Sequence, residues 1–279
     1  MSHLKITVHC LVKNEQRWIW FAIMSVIDFV DEIMVWDTGS TDRTVEIIHT
    51  INSPKIKFLA VESVDPVRFT KVSQKMLSQS QSGWLFLLDG DEIWPDKAVK
   101  EITGLIRKNG SKYDYLISPY FNLLGDVFHY QEPKAGQYIL GKHVGNFSIR
   151  AVNLSIPGLH FDRPHGQRGL FDSQNILIQD RQSSRYTLVK EPYLHSTHLL
   201  RSAGRRFDKL VPKRWQKYKY ELGIGFPEDF QFPRVFYLPR PSMVPSPWTR
   251  RGALYMANAL WQTPLKMIRR RVVNLPSGY

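Results

Sequence analysis

The sequence predicts an α/β protein: a mostly parallel central sheet flanked by helices, with an added antiparallel part and a basic helical extension at its C-terminal end. Three observations predict it. Short apolar runs rich in β-branched and aromatic residues alternate with helix-length segments through roughly residues 5–110. Two of those runs, Glu32 to Trp36 and Trp84 to Leu88, stop at carboxylates, Asp37 and Asp89, and strand ends are where open α/β sheets bind ligands. From Tyr113 onward glycines and prolines break the chain into short pieces, and after Leu199 it turns basic and aromatic.

Taken in order, Ile6 to Val12 is a β-branched strand that ends at Lys13-Asn14-Glu15, and Trp18 to Val30 is a helix apolar nearly all round, hence buried. The second strand, Glu32 to Trp36, gives way to Asp37-Thr38-Gly39-Ser40-Thr41-Asp42, a glycine turn followed by residues that cap helices. The helix Arg43 to Thr50, a strand from Ile56 to Val61 and a helix from Arg68 to Ser82 follow. Trp84 to Leu88 is too short and too apolar for anything but a strand buried on both faces, and Asp96 to Asn109 is its helix. Tyr113 to Ser118 begins the less regular half, with Asn146 to Val152 and Ser184 to Lys190 as further strands. The expected division is a catalytic domain over residues 1–200 and a basic, aromatic extension over 201–279. In that extension Ala253 to Met267 is an apolar segment interrupted by Pro264.

Composition excludes several classes. With 279 residues, 43% hydrophobic and 23% charged, the chain is ordinary for a globular protein. Its single cysteine, Cys10, rules out a disulfide framework and a cysteine-rich metal site. A strand pattern begins within the first residues, leaving no room for a signal peptide, and Trp18 to Ile27 is about half the length that spans a bilayer. The expected location is cytoplasmic, peripheral at the inner face of the membrane. Residues 1–180 carry 19 Lys+Arg against 20 Asp+Glu, a net of −1; residues 181–279 carry 19 against 5, a net of +14. That excess implies an anionic partner for the last third: phosphate groups, nucleic acid or an anionic membrane surface. No nucleic-acid module is recognisable, and nucleic acid is not an expected partner.

The acid turn Asp89-Gly90-Asp91-Glu92 is the sharpest feature. Alone, such a turn is more often a cap for the following helix. At a strand end beside a second acidic strand end, it suits a hard divalent cation shared with phosphate oxygens. No Gly-x-Gly-x-x-Gly follows either strand and no Gly-Lys-Ser/Thr loop occurs, which argues against dehydrogenases and P-loop NTPases.

Val12-Lys13-Asn14-Glu15, Asp37-Thr38-Gly39-Ser40-Thr41-Asp42 and Leu88-Asp89-Gly90-Asp91-Glu92, in this order and strand context, resemble the family 2 glycosyltransferases of the GT-A fold. The members most similar act on bacterial surface glycans. The resemblance implies a metal-dependent, inverting transfer from a nucleotide-diphosphate sugar, usually a uridine one, to a hydroxyl of a glycan or lipid-linked acceptor. It implies nucleotide-sugar contacts from Val12, Lys13, Asn14, Glu15, Asp37, Asp89 and Gly90, with Arg68 or Lys71 as looser matches. It implies Mn²⁺ or Mg²⁺ on Asp91 and Asp89, and a late histidine as a further ligand. His195 and His198 point to opposite faces of an extended segment, and His195 is the favoured one. For the base, Gly158-Leu159-His160-Phe161-Asp162 stands where relatives carry a Val-His-Glu segment, with the acid displaced by one residue. Asp162 is the candidate, His160 the second, and Glu132 and Asp126 are further alternatives. Two rival readings are a haloacid dehalogenase-like phosphohydrolase using Asp89-x-Asp91 and a non-catalytic nucleotide-sugar-binding protein.

Overall fold

The computed structural model describes residues 4–62, 66–80, 83–135, 138–164, 167–182, 184–211 and 213–272. Its strands are β1 (Ile6–Val12), β2 (Glu32–Asp37), β3 (Ile56–Ala60), β4 (Trp84–Leu87), β5 (Glu92–Ile93), β6 (Tyr115–Leu124), β7 (Asp126–Tyr130), β8 (Tyr138–Leu140), β9 (His143–Gly145), β10 (Phe147–Asn153), β11 (His160–Asp162), β12 (Gly169–Phe171), β13 (Tyr186–Leu188), β14 (Tyr193–His195) and β15 (Ile224–Gly225). Its helices are α1 (Ile19–Val26), α2 (Thr44–His49), α3 (Pro66–Ser78), α4 (Asp96–Asn109), α5 (Arg205–Lys209), α6 (Arg214–Lys217) and α7 (Ala253–Val272).

The central sheet runs β15-β7-β6-β10-β4-β1-β2-β3. β4, β1, β2 and β3 are mutually parallel, and β10 joins β4 antiparallel, pairing Ala151 with Phe86. The parallel half matches the expected alternation of strands and helices. β4 shows why its run had to be apolar throughout. Trp84 and Phe86 face the core under α1 and α4, Leu85 faces the opposite core with Tyr115, Ile117 and Ile149, and all three are within 1% of complete burial. Each such side chain contributes about 1.5–3 kcal/mol of burial.

Several elements differ from the sequence expectation. α3 spans Pro66–Ser78 where the sequence predicts Arg68 to Ser82, and Gln81 and Ser82 lie outside the described residues. α1 ends at Val26 rather than Val30, and the fifth strand of the chain proper, β6, runs on through Pro119 to Leu124. Proline is tolerated there because its strand changes partner: β13 pairs with Tyr115 to Ile117 and β14 with Tyr120 to Asn122. The missing N–H falls in the gap between them. α7, in turn, continues through Pro264 to Val272.

The exchange of partners along β6 also positions chemistry. β14 lies between β6 and the two-residue β5, so His195 pairs with both Asn122 and Glu92. A histidine late in the chain is thereby placed beside the acid turn.

Candidate active site

The ends of β1 and β4 lie side by side, His9 opposite Leu87, so the loop after β1 faces the acid turn. Gly90 is needed at the contact. A Cβ there would sit 2.9 Å from Glu15 Cγ and 3.1 Å from Val12 Cγ1. Between the two loops is a cavity of about 170 Å³. Its floor is Val12, Lys13, Glu15, Asp89, Gly90 and Asp91; Thr38 and Phe69 add one side, and His195, Arg201, Arg214 and Lys217 close the other.

Asp91 is 1% exposed, and neither of its carboxylate oxygens accepts a well-directed hydrogen bond. Arg201 Nη1 lies 3.0 Å and His195 Nε2 3.5 Å from Oδ2. Burial opposes the charge on Asp91, but Arg201 and then His195 hold its carboxyl far below the usual carboxylate range. Asp89 is half-exposed and meets Arg150 Nη2 at 3.1 Å. Arg150 also pairs with fully buried Glu92, whose carboxyl burial pushes up against the pull of that guanidinium. Asp89, Glu92 and His195 can each bring one ligand atom to within 4.8 Å of the others.

The residues present fit a divalent cation. Asp89 and His195 belong to that group of three. Asp91, whose oxygens accept no well-directed hydrogen bond and whose Oδ2 lies 3.5 Å from His195 Nε2, adjoins it. Carboxylate oxygens suit either Mn²⁺ or Mg²⁺, and the imidazole suits Mn²⁺ better. Against burial, the cationic groups around this point lower the carboxyls of Asp89 and Asp91, while burial outweighs them at Glu92 and Glu15.

The basic wall is anchored through Glu15. This carboxylate, 2% exposed, receives Arg201 Nε at 2.9 Å and Arg214 Nη2 at 2.6 Å, from positions 186 and 199 residues later. Arg214 also donates to the Lys13 carbonyl at 2.8 Å. Lys217 stands one turn further along and lines the cavity; burial, then Arg201 nearby, lowers its ammonium pKa.

Of the sequence candidates, Val12, Lys13, Glu15, Asp89, Gly90, Asp91 and His195 share this cavity. Asn14 does not line it. Fully buried with φ +54°, it ties loops together by accepting from Thr41 N at 2.7 Å and donating to the Phe207 carbonyl at 3.2 Å. Asp37, 3% exposed, turns onto its own loop and accepts from Gly39 N at 3.0 Å and Ser40 N at 2.9 Å. Arg68 and Lys71 are on the exposed side of α3, whose Phe69 is the residue that reaches the cavity. His198 points elsewhere, its Nδ1 against the Lys217 carbonyl at 2.7 Å.

Asp162 and His160 lie on β11, which packs on α3. Asp162 lines a second cavity of about 340 Å³ with Thr70, Lys71, Gln74, Phe161, Arg163 and Pro164. Its Oδ1 accepts from Arg163 N at 2.7 Å, and His160 Nδ1 meets the Gly158 carbonyl. Glu132 is engaged by Arg270, 138 residues later, at 3.0 Å, and Asp126 by the neighbouring His129 at 2.6 Å. Sequence reasoning missed Arg201, Arg214, Lys217, Thr38 and Phe69 as cavity residues, and Arg150 as the partner of Asp89. The only signal for the arginines was the basic run itself, which does not say which cations fold inward.

The profile described as Glycosyl transferase family 2 matches residues 7–161, more than half of the chain. The SPbeta prophage-derived glycosyltransferase SunS of Bacillus subtilis (strain 168) is 31% identical over 121 residues, 41% of this chain. That match spans 27% of the relative's own length. The crystal structure of S. aureus TarS superposes with a TM-score of 0.50 at 13% identity, covering 79% of this chain and 44% of that one. Glucosyl-3-phosphoglycerate synthase of Mycobacterium tuberculosis, crystallised with Mn²⁺, uridine diphosphate and phosphoglyceric acid, matches at 20% identity and a TM-score of 0.43, over 58% of this chain and 60% of that one. The likeness to TarS is one of fold: a curled, mostly parallel sheet flanked by helices, the GT-A arrangement.

Proposed function

Because this chain belongs to glycosyl transferase family 2 and is a glycosyltransferase, we propose that it moves a sugar, with inversion, from a nucleoside diphosphate sugar to an acceptor hydroxyl. The observation that carries this is the single cavity in which Asp89 and Asp91 face Lys13, Arg201, Arg214 and Lys217. Such a mixture suits a diphosphate whose oxygens are shared between a cation and fixed guanidinium and ammonium groups. A uridine donor is favoured by the motif resemblance of the loops after β1 and β2.

Asp91, Asp89 and His195 would hold Mn²⁺ or Mg²⁺, with Arg150 and Glu92 keeping Asp89 in place. When bound, the ion supplies charge neutralisation for the departing diphosphate. Arg201, Arg214 and Lys217 stabilise the same negative charge from the protein side as it develops. The haloacid dehalogenase alternative falls with the family assignment, since Asp89 and Asp91 close the strand β4 inside the family-matched region.

In this reading the bond from the anomeric carbon to the diphosphate oxygen breaks, and one forms to the acceptor oxygen from the opposite face. The acceptor proton passes to a carboxylate, for which we keep Asp162. What supports it is the second cavity, which shares α3 with the first: Phe69 lies in one wall and Thr70, Lys71 and Gln74 in the other.

Thermal unfolding with uridine diphosphate sugars, with and without Mn²⁺, tests both halves. Stabilisation should require the metal and vanish in Asp91→Asn. Asp162→Asn should keep that stabilisation and lose roughly 10²–10⁴-fold in turnover. Absence of any nucleotide-dependent shift with either metal would sink the donor assignment.

A further inference from the structure

α7 meets the rest of the molecule with its polar side. Tyr255, Ala259, Thr263, Lys266 and Arg270 recur at three- and four-residue intervals and share one face. The Tyr255 hydroxyl is 3.0 Å from both the Lys219 and Glu221 carbonyls. Thr263 Oγ1 accepts from Leu222 N at 2.9 Å, and Arg270 Nη2 meets buried Glu221 at 2.7 Å. Lys266 Nζ stands 3.8 Å from the same Glu221. This is the reverse of a helix held by its apolar stripe.

The opposite side is apolar and bare. Leu254, Trp261, Leu265, Ile268 and Val272 follow the same helical spacing and are 84%, 60%, 58%, 59% and 76% exposed. Stepping about 100° per residue puts Arg269 and Arg271 on the two borders of that stripe, and both are exposed. Five large apolar side chains in one solvent-facing line mark an interaction surface rather than scattered exposure.

We propose that α7 docks the protein on an anionic lipid surface, lying in the headgroup plane with this stripe immersed and Arg269 and Arg271 among the headgroups. Charge selects the occupant. After Asp229 the sequence has no acidic residue and eight Lys/Arg. A second copy of the helix would bring like-charged arginines together across the stripe, whereas an anionic leaflet complements them, at about 1 kcal/mol, or roughly fivefold in partitioning, for each cation near the surface. Trp261 in the stripe has the ring shape that settles at a membrane–water interface. Among the described residues no helix is long and apolar enough to cross a membrane, so α7 lies on the surface rather than spanning it.

The test is co-sedimentation of the full chain with phosphatidylcholine vesicles, with and without phosphatidylglycerol, over a range of salt. Binding should need the anionic lipid and weaken as salt rises. The double substitution Leu265→Glu with Ile268→Glu should weaken it at least ~10-fold while leaving the melting temperature unchanged, because both side chains stand in solvent. Arg269→Gln with Arg271→Gln should cost roughly 25-fold, leaving Arg270 to hold the helix. The proposal is overturned if the chain fails to pellet with anionic vesicles at low salt, or pellets equally well after the double glutamate substitution. A concentration-dependent dimer abolished by that substitution would give the stripe to a second copy instead, and overturn it too.

Discussion

Two basic stretches of the same C-terminal third behave in opposite ways. Residues 201–217 turn Arg201 and Arg214 inward onto Glu15 and Asp91, where they are almost wholly buried. Residues 253–272 turn two cations, Lys266 and Arg270, onto Glu221 and leave Arg269 and Arg271 in water beside an apolar stripe. The net charge of the region is one number in the sequence but has two physical meanings. Part of it is consumed holding a cavity wall against carboxylates contributed by the first half of the chain. Other cations pair with acids elsewhere, Arg234 with Asp28 and Asp96 and Arg251 with Asp126, while Arg269 and Arg271 stand exposed and are available to something outside the molecule.

That contrast can be broken most forcefully at Glu15. Burial pushes its carboxyl up, against the pull of Arg201 and Arg214, so the charge is held at some cost. Removing it is nonetheless worse than keeping it, because two buried guanidinium groups lose their shared partner. Glu15→Gln should destabilise the fold by about 3–5 kcal/mol, the usual result of breaking a buried pair from one side. Urea unfolding measures it. A loss under about 1 kcal/mol would mean that the wall is held by the Lys13 and Asn14 carbonyls and Asp208 alone.

Lys217 sharpens the contrast within the inward-facing stretch. It lines the cavity, but no fold-holding contact depends on its ammonium in the way that the loop after β1 depends on Arg214. Lys217→Ala should therefore leave the melting temperature within the scatter of surface changes, about ±0.5 kcal/mol. It should weaken nucleoside diphosphate binding ~10-fold, about 1.4 kcal/mol, read by calorimetry with Mn²⁺ present. A variant that melts early and binds normally would make Lys217 part of the wall's support rather than of the ligand site.

How far the sequence could see follows the same division. Strand ends with their acids were legible because period, length and turn residues are local: β1, β2 and β4 and the Asp89–Glu92 turn sit where the patterns put them. Alternation separates His195 from His198 but does not say which of them faces the acid turn, and the extended run ends at His195. Asp37 is legible as a strand-end acid, but its acceptance from Gly39 N and Ser40 N is set by the turn that follows and is not visible in the residue pattern. Arg150, Arg201 and Arg214 could not be chosen from among the basic residues. Their selection depends on contacts 58 to 199 residues apart, which no local pattern encodes. α7 looked broken at Pro264 because helix propensity is a local penalty, and clamps from Tyr255, Thr263 and Arg270 on both sides of the proline override it.

The smallest effect expected is also the one that tells the two faces of α7 apart. Leu265 is 58% exposed, and a polar side chain there loses almost no burial. Leu265→Gln should shift stability by no more than about 0.5 kcal/mol in either direction. Nearly three helical turns back on the other face, Tyr255 is 6% exposed and its hydroxyl meets two carbonyls. Tyr255→Phe would remove the one proton that the two carbonyls share, at a cost of about 1–3 kcal/mol. The comparison of the two variants by urea unfolding measures which face carries the helix. If Leu265→Gln were the more damaging, the apolar stripe would be packed against protein in solution, and the helix would be facing the other way.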